Sequence, residues 1–384
     1  MAKHDCGFAL WPSDATEPDG SRYNYSVASS SWLGGNGDVV QRFMDSCNKA
    51  GIGVGYYYSL GSNKYAEARG WTREQLQSVE RQQLTEIWTR YGQLTEIWFD
   101  GGFEGTMARF VNESLAALQP NAVAFNACIR QDSRNVTKAD CVTKNAVRWV
   151  GTEAGAAPDP TWSTGYSKGG DPDSDIYQPA EADTTLQNED EWFYNGTVGI
   201  RSLGGLLDVY HGTVGRNTLL MMDFAPNPDG LIAPDQVQRY KEFGDYIRSC
   251  YGGEPVAEVS NFTLHPALSA SVSISVRPSD SVDRIVIQED QSRGQAIRKY
   301  SVEARLVGGE YVPVSSGTSV GNKKIDLLQA DLAGAAELRL NILDSAAPTV
   351  HVKRFAAFKC AQPTSTSMSS DGAERPLPTI TVIT

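Results

Sequence analysis

The run Leu94-Thr95-Glu96-Ile97-Trp98-Phe99 ends in a carboxylate, Asp100, followed at once by Gly101 and Gly102. An apolar stretch that stops at an acid is how a buried strand looks when it delivers one carboxylate to the mouth of an α/β barrel. Taking a carboxylate out of water is costly unless a partner or a reaction compensates for it. A plainer reading competes, because Asp-Gly is common turn chemistry and a strand-end Asp often only caps the next helix. Arg148-Trp149-Val150-Gly151-Thr152-Glu153 repeats the pattern, an aromatic run closing on a glutamate. Pro179-Ala180-Glu181-Ala182-Asp183 leads on to Trp192-Phe193-Tyr194. Acids at the ends of separate strands, surrounded by Trp and Tyr, suit the hydrolysis of a sugar. Aromatic faces stack on the apolar side of the ring while one carboxylate attacks the anomeric carbon and another protonates the leaving oxygen. The plain reading of any isolated Glu is a surface charge or a helix partner. Likewise, His211 alone reads as a satisfied structural histidine and Arg216 as the partner of a barrel acid.

Composition narrows the ligand classes. The chain of 384 residues has a net charge of −12, so it offers no basic face to nucleic acid or anionic lipid. A neutral ligand is indifferent to that field, and 8 Trp and 16 Tyr favour a sugar. No apolar run approaches the length needed to cross a bilayer. The 6 cysteines show no paired C-x-x-C spacing, which argues against zinc. Cys128 and Cys141 could close a short loop, as would suit an oxidising compartment. Asn-x-Ser/Thr sequons at Asn24, Asn112, Asn135, Asn195 and Asn261 point the same way. The expected location is extracellular in the full-length form, although no signal peptide precedes Met1-Ala2-Lys3-His4. Nothing in the sequence sets an oligomeric state.

The elements that must position these acids follow a rhythm. From residue 1 to about 252, short strand-like runs alternate with helical stretches. Helices are expected over 38–49, 72–91 and 107–118, and strands over 52–59, 97–99 and 122–125. Such a βαβα order argues for a parallel sheet with helical crossovers, and hence a (β/α) barrel. The hexapeptide Gln-Leu-Thr-Glu-Ile-Trp occurs at 83–88 and again at 93–98, and it is expected as helix first and strand second. From about Val256 the texture becomes short, alternating, β-branched runs separated by turn signals, which reads as an antiparallel β-sandwich over 256–360. Helical spacing returns there only near Asp326 to Leu332. Residues 361–384, rich in Ser, Thr and Pro, read as a disordered tail.

Lys3-His4-Asp5-Cys6-Gly7-Phe8-Ala9-Leu10-Trp11-Pro12-Ser13 resembles the pattern Lys-His-His-Asp-Gly-Phe-x-Leu-Trp-Pro-Ser of the α-L-fucosidases, glycoside hydrolase family 29. Tyr25-Ser26-Val27-Ala28-Ser29-Ser30, Trp98-Phe99-Asp100-Gly101 and Val214-Gly215-Arg216-Asn217 match as well, as does Pro226-Asn227-x-Asp229-Gly230-Leu231. The resemblance runs from residue 2 to about 360, where Ile285 to Asp290 and Gly294-Gln295 look like the C-terminal part of the family. It implies an α/β fold: a (β/α)8-like TIM barrel over 1–252, lacking its N-terminal βα units, followed by a C-terminal antiparallel β-sandwich. It also implies a retaining exo-hydrolase that removes terminal α-L-fucose from fucosylated glycans without a metal or an organic cofactor. Asp100 takes the place of the nucleophile and Glu153 that of the acid/base, with Glu181 as the alternative acid/base. His4, Trp98, Tyr57, Tyr58 and Trp11 are the substrate-binding candidates. For a retaining reaction the carboxyl groups of Asp100 and Glu153 are expected roughly 5–5.5 Å apart.

Two departures bear on activity. His4-Asp5-Cys6 stands where many members have His-His-Asp, so at least one sugar contact is changed or lost. The family barrel also carries βα units upstream of the Lys-His segment that supply fucose ligands and close the barrel. Without them an open parallel sheet exposes edge groups and apolar core. The expectation is a chain of low stability and weak or no activity. Its non-enzyme rival is a catalytically impaired, fucose-binding, lectin-like protein from a truncated chain. A third reading is a retaining glycosidase of hexosamines or galactosides, which fold alone does not exclude.

Overall fold

The computed structural model describes residues 1–127, 145–268 and 270–361. Cys128, Asn135, Cys141 and the tail from 362 onward lie outside the described residues, and with them the short disulfide loop, one sequon and the disordered tail expected above. The chain forms two compact units, Met1–Trp149 and Val150–Thr384.

Among its described residues the first unit contains four parallel strands, β1 (Gly55–Tyr57), β2 (Glu96–Trp98), β3 (Val123–Phe125) and β4 (Ala146–Trp149), paired in chain order. Helices α1 (Val39–Ala50), α2 (Lys64–Ala68), α3 (Arg73–Arg90) and α4 (Gly105–Leu118) occupy the connections. Local sequence sets their ends. The Asp38 carboxylate accepts from Gln41 N to open α1, and Gly51, at φ +67°, closes it in a conformation that costs glycine little. Thr72 and Gln75 form a reciprocal capping box at the start of α3. The N-terminal segment lies along β1 through a parallel bridge from Lys3 to Tyr58.

The repeated hexapeptide takes two conformations as expected. Its first copy lies inside α3, burying Leu84, Ile87 and Trp88, whereas the second runs into β2 after Gly92 turns the chain at φ +80°. Pairing of β2 with strands on both sides decides the second copy, since the residues are identical.

In the second unit, β5 (Ala180–Thr185) and β6 (Thr218–Asp223) pair in parallel around α5 (Leu203–Gly212), and α6 (Pro234–Tyr251) follows. Eight antiparallel strands come next: β7 (Ala257–Leu264), β8 (Ser271–Ser275), β9 (Ser281–Glu289), β10 (Ile297–Leu306), β11 (Tyr311–Gly317), β12 (Lys324–Ala333), β13 (Ala335–Ser345) and β14 (Val350–Phe358). They form two four-stranded sheets, ordered β11-β10-β13-β8 and β12-β9-β14-β7, around a shared core that includes Ile285, Val302, Leu340 and Phe355. The helical spacing near Asp326 to Leu332 is corrected here, because these residues belong to β12. Leu328 and Leu332, partly buried against the core of the sheets, lie four apart, a spacing that one helical turn and alternate positions of a strand share.

The division at Trp149 and the change of texture near Val256 report different things. Leu206, Leu207 and Tyr210 of α5 and Phe243 of α6 bury against Val286, Ile325, Ala356 and Phe358 of the sheets. A disulfide from Cys250 to Cys360 ties the end of α6 to the end of β14 across 110 residues. Compactness therefore groups α5 and α6 with the sheets although their sequence texture resembles that of the first unit.

Candidate active site

In the first unit the carboxyl ends of β1, β2 and β3 are in register, Tyr57 beside Trp98 and Trp98 beside Phe125. Residues paired in a parallel ladder point to the same face, so their rings line up. His4 stacks on Tyr57 with ring centroids 5.5 Å apart, Tyr57 on Trp98 at 5.1 Å and Trp98 on Phe125 at 4.1 Å. The exposed carboxylate of Asp100 follows directly, and Gly101 and Gly102, both at positive φ, turn the chain sharply behind it. A side chain would be strained at both glycines, so the Asp-Gly-Gly order is a geometric need.

The Tyr57 hydroxyl donates to Asp100 Oδ2 at 2.7 Å. Burial first, and then this hydrogen bond to a carboxylate, hold the Tyr57 phenol well above its usual pKa, so it remains a donor. The bond orients one carboxylate oxygen and leaves Oδ1 for another role. His4 Nδ1 contacts Asp5 Oδ1, which sets the plane of the imidazole. Beneath them Lys3 is fully buried, donates to the Ser59 carbonyl at 2.7 Å and lies over the Tyr58 ring. Burial pushes its ammonium pKa down to about 8, against the opposing pull of Glu80.

Two candidate sugar contacts are displaced by the structure. Tyr58 is 1% exposed and donates to Gln83 Oε1 at 2.6 Å, because adjacent strand residues face opposite sides and Tyr57 takes the open one. Trp11 is fully buried, with its indole N–H donating to Glu86 at 2.7 Å. Both rings belong to the core and not to the row containing Tyr57. Phe125, which sequence reading passed over as an ordinary strand residue, completes that row.

In the second unit Glu153 lies exposed on the connection that follows β4, and Trp192 Nε1 donates to its Oε2 at 3.1 Å. One oxygen is thereby oriented and Oε1 is left to carry or accept a proton. Glu181, the alternative acid, is 2% exposed within β5, and its backbone carbonyl accepts from Val150 N at 3.0 Å. An acid that must meet solvent and a leaving group is better placed at the position of Glu153. Asp223, at the carboxyl end of β6, was missed by the sequence reading; burial pushes its pKa up to about 6. The strand-end signal used for Asp100 would have found it.

His211 bears out its plain reading. Its Nε2 meets the Tyr251 hydroxyl at 2.7 Å, and burial lowers its pKa to about 4, keeping the ring neutral. Arg216 donates to the Ala157 carbonyl at 3.0 Å and lies 3.8 Å from Asp159. Among the described residues no helix is long and apolar enough to cross a membrane.

Residues 1–252 match the family profile described as Alpha-L-fucosidase. The curated Alpha-L-fucosidase 1 of Arabidopsis thaliana is 30% identical over 371 residues, which covers 84% of this chain and 68% of the plant protein. A crystal structure from Bacteroides thetaiotaomicron, of a protein assigned as an alpha-L-fucosidase, superposes with a TM-score of 0.80 at 30% identity, covering 94% of this chain and 83% of the other. A glycoside hydrolase family 29 fucosidase of Ruminococcus gnavus, solved in complex with fucose, superposes with a TM-score of 0.76 at 19% identity over 94% of this chain and 82% of its own. At that identity the likeness speaks for the fold.

Proposed function

Because this chain belongs to the α-L-fucosidase family, we propose that it hydrolyses terminal α-L-fucose from oligosaccharides or glycoconjugates with retention of configuration. The observation that carries this reading is the Tyr57 hydroxyl on Asp100 Oδ2 at the end of a stacked aromatic row. Asp100 attacks the anomeric carbon as the bond to the leaving oxygen breaks, and the proton of Glu153 goes to that oxygen. A water then gives its proton to Glu153 while its oxygen displaces Asp100 from the anomeric carbon, restoring both groups. His4, Tyr57 and Trp98 offer a polar edge and apolar faces to the sugar. In this reading the parallel strands belong to a (β/α)8-type barrel and the two antiparallel sheets form a β-sandwich after about residue 256.

The test is an aryl α-L-fucoside followed by NMR of the first-formed sugar. Retention gives α-fucose before mutarotation, and Asp100→Ala removes turnover. First-formed β-fucose, or full activity of Asp100→Ala, overturns the mechanism.

We further propose an oxidising, extracellular setting. Asn24, Asn112 and Asn261 are exposed sequons, and the Cys250–Cys360 disulfide suits such a compartment. Removal of N-glycans from the natively produced protein, read as a loss of mass, tests this.

A further inference from the structure

The connection that carries Glu153 contains neither helix nor strand from Gly151 to Gln178. One isolated antiparallel bridge, Thr164 to Tyr177, ties the segment to itself, and the rest of its order comes from what it touches. It is laced onto the loops of the antiparallel sheets. Ser163 N donates to Gln295 Oε1 at 2.8 Å, and Thr161 N donates to Ser319 Oγ at 3.3 Å. Asp159 accepts both bonds of the buried Lys324 ammonium, at 2.8 and 2.9 Å.

Asn217 stands at the centre of this lacing. Its Nδ2 donates to the Thr161 carbonyl at 3.2 Å and to Ser163 Oγ at 2.9 Å, while its Oδ1 accepts from Asn322 N at 2.7 Å and from Gln291 Nε2 at 3.1 Å. The residue is 6% exposed and sits at φ +58°, a conformation asparagine tolerates better than most side chains. Gly321 must be glycine to admit it, since a Cβ there would lie 2.2 Å from the Asn217 side chain. Behind them Glu289 is 3% exposed. It accepts from Ala296 N and Ile297 N through one oxygen and from Gly321 N through the other, so it fixes the two loops that hold Gln295 and Asn322.

The lacing comes close to Glu153. Ala157 N donates to the Gly212 carbonyl at 2.8 Å, and Arg216, the neighbour of Asn217, holds the Ala157 carbonyl at 3.0 Å. On the other side Val150 N is fixed to Glu181 O. Glu153 thus lies on a short span between two anchors.

We propose that Gln295 and Asn217 are positioning residues for Glu153, pinning to the antiparallel sheets the crossover from which it delivers and recovers the proton. The proposal rests on the reading of Glu153 as the acid/base. A misplaced acid penalises only reactions that need its proton, so the readout is the dependence on the leaving group.

Gln295→Met removes the acceptor and keeps the bulk, and Gln295→Glu returns an oxygen to the same place. Each is assayed on an alkyl α-L-fucoside, whose alcohol is a poor leaving group, and on the 2,4-dinitrophenyl fucoside, which needs no acid. Pinning requires that kcat/KM of Gln295→Met falls about tenfold or more on the alkyl substrate. It also requires near-wild-type values on the dinitrophenyl substrate and recovery in Gln295→Glu. Should Gln295→Met fail to fold, Ser163→Ala, which removes one acceptor of Asn217, is read the same way. Equal losses on both substrates, or none, overturn the positioning role. Glu153→Ala is measured on the same pair: if it discriminates and the Gln295 variants do not, only the positioning role falls. If Glu153→Ala does not discriminate, the acid/base reading falls and takes the proposal with it.

Discussion

Tyr57 and Asp100 lie 43 residues apart in sequence, yet the phenol donates to the carboxylate at 2.7 Å. The pair exists because β1 and β2 are adjacent parallel strands in a register that sets Tyr57 beside Trp98, two residues before the acid. A hydrogen bond to a charged acceptor is worth more than a neutral one, so this contact orients the Asp100 carboxylate.

Tyr57→Phe keeps the ring stack and deletes the bond. A bond to a charged group contributes about 1.5–3 kcal/mol, so kcat/KM should fall roughly 10- to 100-fold. KM should change less than kcat, because the stacking faces remain. Unchanged turnover in this variant would show that Asp100 needs no orientation from the phenol.

Glu153→Ala should lose activity most on poor leaving groups and regain turnover with azide, which attacks the fucosyl-enzyme in place of activated water. The expected product is fucosyl azide of retained anomeric configuration, read by NMR. Absence of rescue, with full rescue in a Glu181→Ala variant, would move the acid/base to β5.

Glu289 predicts a pH dependence of stability. Burial, the largest influence, pushes its pKa up to about 7 from an ordinary 4.5, against three backbone N–H donors that favour the charged form. A folded pKa above the unfolded one means that folding takes up a proton. The resulting stabilisation is complete below about pH 4.5 and is lost as pH rises through 7, an effect on the order of 3 kcal/mol. In urea melts, wild type should lose stability relative to Glu289→Gln across that window. The variant itself should be less stable at pH 4.5 by about 1–3 kcal/mol, since its amide N–H₂ faces a backbone donor. A constant difference between the two proteins from pH 4 to 8 would place the Glu289 titration outside the window.

The disulfide between Cys250 and Cys360 closes 110 residues of chain. For a loop of that length the entropic stabilisation is about 4–5 kcal/mol, so Cys250→Ser with Cys360→Ser should lower the unfolding midpoint markedly. The loss should be visible in the second unit first, by hydrogen exchange of α6 and β14. Equal midpoints with and without reductant would mean that the pair is not formed in solution.

Much of the molecule is legible from residue order because the relevant forces are local. Asp38, Gly51, Thr72 and Gln75 announce helix ends through hydrogen bonds to their own neighbours. The alternation after Val256 announces strands such as β10, where burial follows parity over most of its length. Asp100 is visible for the same reason: an apolar strand ending in Asp-Gly-Gly has few other ways to sit. Where locality fails, so does the reading. Leu328 and Leu332 mimic a helix because a spacing of four fits a helical turn as well as alternate strand positions, and only pairing with β9 decides between them. Tyr57 and Tyr58 are chemically identical neighbours, and only the side of the strand that faces the core separates them.

Sequence alone determined the family, the nucleophile candidate at the end of its strand, and the succession of parallel α/β elements and antiparallel strands. Those depend on ordered motifs and on periodicity, which a linear chain records. Only the tertiary structure decided that Tyr57, and not Tyr58, faces Asp100, that Trp192 is the partner of Glu153, and that the crossover bearing Glu153 is held by Asn217 and Gln295. Each of these joins residues tens of positions apart through strand register or loop packing. Such contacts arise from the closure of the fold and leave no local mark in the residues that make them.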